Sequence, residues 1–255
     1  MLHKHEIDSE ALQARRRITV WLPQGVRARN KFFPVLYLND GQNLFEPARA
    51  FAGVTWGVRE TVSRLVRRGA IPPLIVVGID HGGVRRAREY LPVEDERNPD
   101  ARRPLGRAYV EFVTREVVPF VAERYPVDRR AAKTGFGGSS YGAVAALFTA
   151  LEAPGLFGRL LLESPSLYVG RRYLLRRARQ ADRWPGRVYL GVGTAETSRA
   201  DWNQETVENV LRLDAILRQA RLGPRRLMTR IEAGATHSEG AWAARLAEAL
   251  TFLFE

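Results

Sequence analysis

Apolar positions along this chain recur at two alternating spacings. Short apolar runs, many rich in β-branched residues, occur at Arg17–Leu22 (RITVWL), Pro34–Leu38 (PVLYL), Leu74–Ile79 (LIVVGI), just before Gly137, at Leu160–Leu162, at Arg187–Val192 (RVYLGV) and at Leu227–Ile231 (LMTRI). Each has the length and composition of a strand. The continuous run Leu74–Ile79 suits a strand buried on both faces of a parallel sheet. Helical spacing falls between these runs. Thr55–Arg68 puts Val58, Val62, Leu65 and Val66 on one face, and Tyr109–Arg124 is stopped by Pro126. Tyr141–Leu151 is a helix of small apolar residues, while Asn203–Gln219 and Glu239–Phe254 are amphipathic. This order predicts an α/β chain whose central sheet is mostly parallel in its later part and carries helices on both faces. No internal repeat, low-complexity tract or linker interrupts it, so residues 1–255 read as a single domain with a loose N-terminal segment over 1–15. Gly82–Gly106, rich in Arg, Pro, Gly and Asp, reads as a long loop at one end of the sheet, and such loops are often functional.

Composition narrows the class. Of 255 residues, 45% are hydrophobic, which is enough for a core and excludes a disordered basic tail. The absence of cysteine excludes disulfides, a thiolate metal site and a Cys nucleophile. Met1–Arg17 is charged and lacks an apolar signal core, and no apolar run approaches the ~20 residues of a membrane span. The expectation is a soluble, cytoplasmic protein with no membrane partner. The net charge is +12, and all but Lys4, Lys31 and Lys133 of the 40 basic residues are arginine. Such an excess can mark a polyanion-binding surface. Here the arginines are scattered, as in Arg15–Arg17, Arg85–Arg86, Arg102–Arg103, Arg171–Arg172 and Arg225–Arg226, and no RRM, KH or zinc-finger pattern accompanies them. The charge therefore reads as spread over solvated faces, and nucleic acid is not the expected partner.

One segment carries chemistry directly. Gly138-Ser139-Ser140-Tyr141-Gly142 fits G-x-S-x-G, and it lies between a short apolar run and a small-residue helix. A strand–turn–helix at this point strains the central serine, and the flanking glycines relieve the crowding. The Ser140 hydroxyl then stands above the sheet at a helix N-terminus, which favours developing negative charge. Four histidines are available as its base: His3, His5, His81 and His237. His3 and His5 fall in the loose N-terminus, and His81 follows the Leu74–Ile79 strand. His237 follows the last strand. Thr236 and Glu239 have capping-box spacing, which places His237 at the start of the last helix. An orienting acid is expected between serine and histidine in chain order. Glu196 follows strand Arg187–Val192. Asp201 and Glu205 are rivals, with Asp201 read as the cap of the next helix because Gln204 stands three residues on. An oxyanion needs two fixed N–H donors. The Tyr141 amide is one, and Gly41 lets the loop Asn39–Phe45 turn to present the Gln42 amide as the other.

Taken together, these segments resemble the putative-esterase family of the α/β-hydrolase superfamily, which includes esterase D-like, enterochelin esterase-like and antigen 85-like proteins. The resemblance rests on LYLNDGQNLF (Leu36–Phe45), Trp56, VVGIDHGGVRRAREYLP (Val76–Pro92), GFGGSSYGA (Gly135–Ala143), LFGRLLLESPSL (Leu156–Leu167), YLGVGTAET (Tyr189–Thr197) and GATHSEGAWAARL (Gly234–Leu246). It spans roughly Arg16 to Phe254. It implies the α/β-hydrolase fold and a serine carboxyl-ester hydrolase with a Ser140–His237–Glu196 triad. Gln42 and Tyr141 amides would form the oxyanion hole, and Arg86, Glu89 and Tyr90 would shape the pocket mouth. The family pattern has Asn at the place of His81 and a second glycine at the place of Ala143. No metal or organic cofactor is implied, and the partner is a small-molecule ester, with a siderophore-type ester as one candidate. An acyltransferase using the same triad, or a non-catalytic polyanion binder on the same scaffold, are the alternatives. Oligomeric state is not legible.

Overall fold

The structure, a computed structural model, describes residues 1–24, 26 and 31–255. Among these residues the strands are β1 (Leu2–Ser9), β2 (Ala14–Trp21), β3 (Val35–Asn39), β4 (Ile75–Ile79), β5 (Thr134–Ser139), β6 (Arg159–Glu163), β7 (Arg187–Gly193) and β8 (Leu227–Glu232). They form one eight-stranded sheet in the order β1-β2-β4-β3-β5-β6-β7-β8. β3 to β8 run parallel, and β1 and β2 join antiparallel at one edge. The expected α/β architecture is therefore present. β3, β4 and β5 are buried along their whole length, as their central places and two covered faces require.

The helices are α1 (Val58–Arg67), α2 (Arg86–Tyr90), α3 (Gly106–Glu111), α4 (Val118–Arg124), α5 (Tyr141–Glu152), α6 (Val169–Ala178), α7 (Ala200–Gln219) and α8 (Glu239–Phe254). α1 and α8 cover one face, where Val58, Val62 and Leu65 meet Trp242, Leu246 and Leu250 over Leu36, Leu38 and Val76. α3 to α7 cover the other, over Tyr37, Val77, Phe136 and Leu162. A π-helical turn, Phe112–Val117, joins α3 to α4. Pro119 cannot donate a backbone hydrogen bond, and its ring crowds the carbonyl four residues back. That carbonyl, on Arg115, lies inside the widened turn, which takes up the strain without ending the rod.

The N-terminus and the loop Gly82–Gly106 differ from the sequence reading. Residues read as a loose N-terminus form β1, paired from Leu2↔Trp21 to Ser9↔Ala14. Its apolar signal is weak because the inward-facing positions include two histidines. His3 and His5 pack edge-on against Tyr125, and His5 Nε2 lies 2.6 Å from the Tyr125 hydroxyl. The loop Gly82–Gly106 is not structureless either. It holds a turn at Gly83–Arg85, α2, and a turn at Pro99–Ala101.

Parallel strands send all their C-terminal ends to one edge of the sheet. The chain leaves β3, β5, β6, β7 and β8 there, and the connections carry Gln42, Ser140, Ser164 to Ser166, Glu196 and His237 respectively.

Candidate active site

Ser140 occupies the bend between β5 and α5 with φ 55° and ψ −125°. Side chains other than glycine rarely adopt this region, and such strain clusters at functional sites. The two glycines of the motif are required by contact. A Cβ on Gly138 would lie 2.9 Å from the Gly142 carbonyl carbon, and one on Gly142 would lie 2.8 Å from the Asp40 carboxylate. The bend is pinned from both sides. Ser140 donates its N–H to the Glu163 carbonyl at 2.9 Å. Asn39, buried at the end of β3, donates through Nδ2 to the Gly142 carbonyl at 2.7 Å and accepts from the Tyr109 hydroxyl at 2.6 Å. The Ser140 hydroxyl itself lies 3.4 Å from the Ser166 hydroxyl.

His237 and Glu196 meet. Nδ1 of the imidazole stands 2.5 Å from Glu196 Oε2, and this oxygen belongs to a side chain only 1% exposed. Glu196 Oε1 accepts two further hydrogen bonds, from the Gly193 amide at 2.6 Å and the Ser164 hydroxyl at 2.7 Å. Burial pushes the Glu196 carboxyl up, but these donors outweigh it and hold the group below the ordinary carboxylate value. Glu196 is thus kept charged beside the ring. No hydrogen bond joins His237 to Ser140 among the described residues.

The helix starts differ from the sequence reading. α8 begins at Glu239 with Ser238 as its cap, whose hydroxyl accepts from the Ala241 amide. Thr236 is instead bonded to Ser238 Oγ at 3.0 Å, so His237 precedes the helix rather than opening it. Asp201 is not the cap of α7. That place is held by Arg199, and Asp201 is an exposed first-turn residue ion-paired to Arg199. Glu205 pairs with Arg97 and Arg172. Neither rival reaches His237.

The loop after β3 turns at Asp40, which has left-handed φ 56° and ψ 47°. Gly41 is needed for a different reason from the one its sequence suggests. A Cβ there would lie 2.6 Å from the Gly78 carbonyl carbon of β4, so it is close approach and not a left-handed turn that demands glycine. Gln42 and Tyr141 occupy the first turns of a 3₁₀ segment (Gly41–Asn43) and of α5, where backbone N–H groups have no helical acceptor. The loop is tied down by its own polar side chains. Gln42 Oε1 accepts from the His81 amide at 3.2 Å, and Asn43 donates to Glu239 at 3.0 Å. His81 Nδ1 accepts from the Gly83 amide at 2.9 Å, and burial lowers the pKa of its ring. Arg49 pairs with the Asp80 carboxylate below the loop.

Of the residues assigned to the mouth, Arg86 lies beside the site and Tyr90 and Glu89 lie beneath it. Arg86 forms two parallel bonds to Asp40, at 2.7 and 2.9 Å, and stacks over Tyr90 and Tyr141. Burial opposes its charge, yet the Asp40 carboxylate holds its pKa above the ordinary arginine value. Tyr90 is fully buried and accepts the Asp40 amide at 3.1 Å. Glu89 is fully buried against Gly82 and bound to Arg16 and Arg85. Arg97 stacks on Tyr168 and Trp202, with its guanidinium carbon 4.3 and 4.9 Å from the ring centres. Arg85 and Arg88 turn to Leu12 and Arg103 instead. A cavity of about 570 Å³ lined by Trp21, Arg59 and Arg67 shares no residue with this site. Among the described residues, no group of three or more His, Cys, Asp or Glu is placed to hold a metal ion.

Reasoning from sequence gave no role at this site to the side chains of Ser164, Trp242, Asn39 or Arg245. The indole of Trp242 donates to the Ser164 hydroxyl at 2.9 Å. Arg245 on α8 is buried and bonds Glu163, whose carbonyl holds Ser140, and Glu232. Their partners lie 78 and 82 residues away, and no local pattern signals such pairings.

This strand order, with a strained strand–serine–helix bend at the C-terminal edge of the sheet, defines an α/β-hydrolase. Residues 9–253 match the family described as "Putative esterase". The chain belongs to that family and is a carboxylic ester hydrolase. It is 22% identical over 250 residues to "Uncharacterized protein YbbA" of Bacillus subtilis (strain 168), covering 96% of this chain and 95% of that protein. The fold is similar to that of the BES protein from Bacillus cereus, with a TM-score of 0.78, 18% identity, and 100% and 95% of the two chains covered. It is also similar to the enterobactin esterase FES from Shigella flexneri, with a TM-score of 0.76 and 23% identity. There 99% of this chain matches 58% of that one. Among the described residues no helix is long and apolar enough to cross a membrane.

Proposed function

We propose that the ester is cleaved through Ser140, with His237 as base, Glu196 as orienting acid and a covalent acyl-enzyme between two half-reactions. The observation that carries this reading is the 2.5 Å Glu196–His237 contact at the same sheet edge as the strained Ser140 bend. His237 takes the Ser140 proton as Oγ attacks the ester carbonyl. Glu196 holds the Nδ1–H tautomer and stabilises the imidazolium. The amides of Gln42 and Tyr141 receive the oxyanion. The imidazolium then protonates the leaving alcohol. Water, deprotonated by His237, attacks the acyl-enzyme, and its second collapse releases the acid and returns the proton to Ser140.

The substrate we propose is a small ester of the siderophore type. Two observations support it: the aromatic rings of Tyr141, Tyr168 and Trp202, over which the carboxylate-paired Arg86 and Arg97 are stacked, and the likeness to an enterobactin esterase. Ser140→Ala is expected to abolish turnover of a short-chain aryl ester and labelling by a fluorophosphonate probe, with an unchanged circular dichroism spectrum. Turnover retained by that variant would refute the serine mechanism. A panel of aryl, feruloyl and catecholate-lactone esters should rank the lactone first. Equal kcat/KM across the panel would remove the siderophore assignment alone.

A further inference from the structure

The Glu196–His237 pair is held by a donor chain that starts on another element. Trp242 lies in the first turn of α8 and is 4% exposed. Its Nε1–H donates to Ser164 Oγ at 2.9 Å, and Ser164 Oγ donates to Glu196 Oε1 at 2.7 Å. The direction of the second bond follows from the first. An indole N–H only donates, so it occupies a lone pair of the serine oxygen, and the single hydroxyl hydrogen is left for the carboxylate. Ser164 cannot swing away. It is 1% exposed, its backbone is left-handed at φ 43°, and its amide donates to the Gly191 carbonyl at 2.7 Å. The same indole stands edge-on to the imidazole, 5.1 Å between ring centres at 85°. Trp242 therefore touches both ends of the pair: the base through its ring and the acid through Ser164.

We infer that Ser164 and Trp242 are positioning residues for this reaction, an inference that rests on the reading of Glu196 and His237 as its acid and base. Trp242 aims the Ser164 hydrogen, and that hydrogen draws charge from Oε1 and leaves Oε2 at the distance and orientation the imidazole needs. Removing the Ser164 donor leaves more negative charge facing the ring. The imidazolium is then held more tightly, and the base is lost to protonation at a higher pH.

The test is the pH profile of kcat/KM on a short-chain aryl ester for the wild type, Ser164→Ala, Trp242→Phe and the double variant. Ser164→Ala is expected to lower kcat/KM about tenfold or more, in line with a hydrogen bond to a charged group, and to move the acid limb up by about half a pH unit. Trp242→Phe keeps a ring against His237 and removes only the donor. It should move the limb the same way by less. The double variant should match Ser164→Ala within about twofold, because the indole N–H acts only through the serine. An acid limb that stays in place in both single variants, or losses that multiply in the double variant, would overturn the inference. Should Ser164→Ala fail to fold, Trp242→Phe alone decides by the position of its limb. Glu196→Gln, measured alongside, separates the two readings. Activity retained in Glu196→Gln refutes the acid assignment itself, whereas activity lost there with unmoved limbs in the other variants refutes only the roles of Ser164 and Trp242.

Discussion

Ser140 pays for its exposure with a backbone that only a tightly held bend can keep, and the buried Glu196 owes its charge to three donors. These two residues were legible in the sequence because each follows a strand-like run and stands among glycines. His237 was legible by elimination, since the chain has four histidines. Ser164 was not. Its role depends on a left-handed φ and on an indole 78 residues away, and neither leaves a trace in local spacing. The burial of Glu89, which the resemblance put at the pocket mouth, was not legible for a related reason. Here it is a buried counter-ion of Arg16, 73 residues distant. At this scale Glu196→Gln is expected to lower kcat by about 10³–10⁴-fold, because the amide can favour the wrong imidazole tautomer. Steady-state kinetics with a check of melting temperature measures it. A loss below tenfold would move the orienting role elsewhere.

The loop after β3 shows how an element positions chemistry. Its shape is set by Asp40 in a left-handed turn, by Gly41 pressed on β4, and by side-chain bonds from Gln42 and Asn43. Gly41→Ala puts a methyl carbon 2.6 Å from a backbone carbon, so the loop must move. Overpacking of this kind costs about 1–3 kcal/mol. The expected result is a lower melting temperature together with a fall in kcat that exceeds the fall in substrate affinity, as displacement of an oxyanion donor requires. Wild-type kcat in Gly41→Ala would place the donor outside this loop. Strands β2 to β8 were readable, as were α1, the α3–α4 rod, α5, α7 and α8, because their apolar spacing is regular. β1 was not, because His3 and His5 take inward positions that usually hold aliphatic residues. α6 was hidden by its entry, a left-handed turn at Gly170, Arg171 and Arg172 within an Arg-rich stretch.

For the whole molecule, the excess of arginine turns out to be partly internal. Arg16, Arg86 and Arg245 reach buried carboxylates, and others cap carbonyls or stack on rings. The buried pair of Glu163 and Arg245 also gives stability a pH dependence. Burial outweighs Arg245 and pushes the Glu163 carboxyl up to about 7, from an ordinary value of 4.5. Between those values the folded chain holds a proton that the unfolded chain has released, so this group's contribution to stability falls as pH rises through that window and is flat above it. Urea unfolding from pH 4.5 to 8 should show a shallower decline in Glu163→Gln than in the wild type. Parallel curves would count against the shift.

β1 lies at one edge of the sheet, away from the edge that carries Ser140, Glu196 and His237. An outermost strand offers a free row of N–H and C=O groups on which another chain can grow a sheet. The exposed positions of β1 are Lys4, Glu6 and Asp8, of mixed sign and tied sideways to Glu46, Arg17 and Arg15. A flat apolar strand there would make each molecule a template for the next. A charged row of mixed sign is one of the devices by which proteins discourage such edge-to-edge pairing.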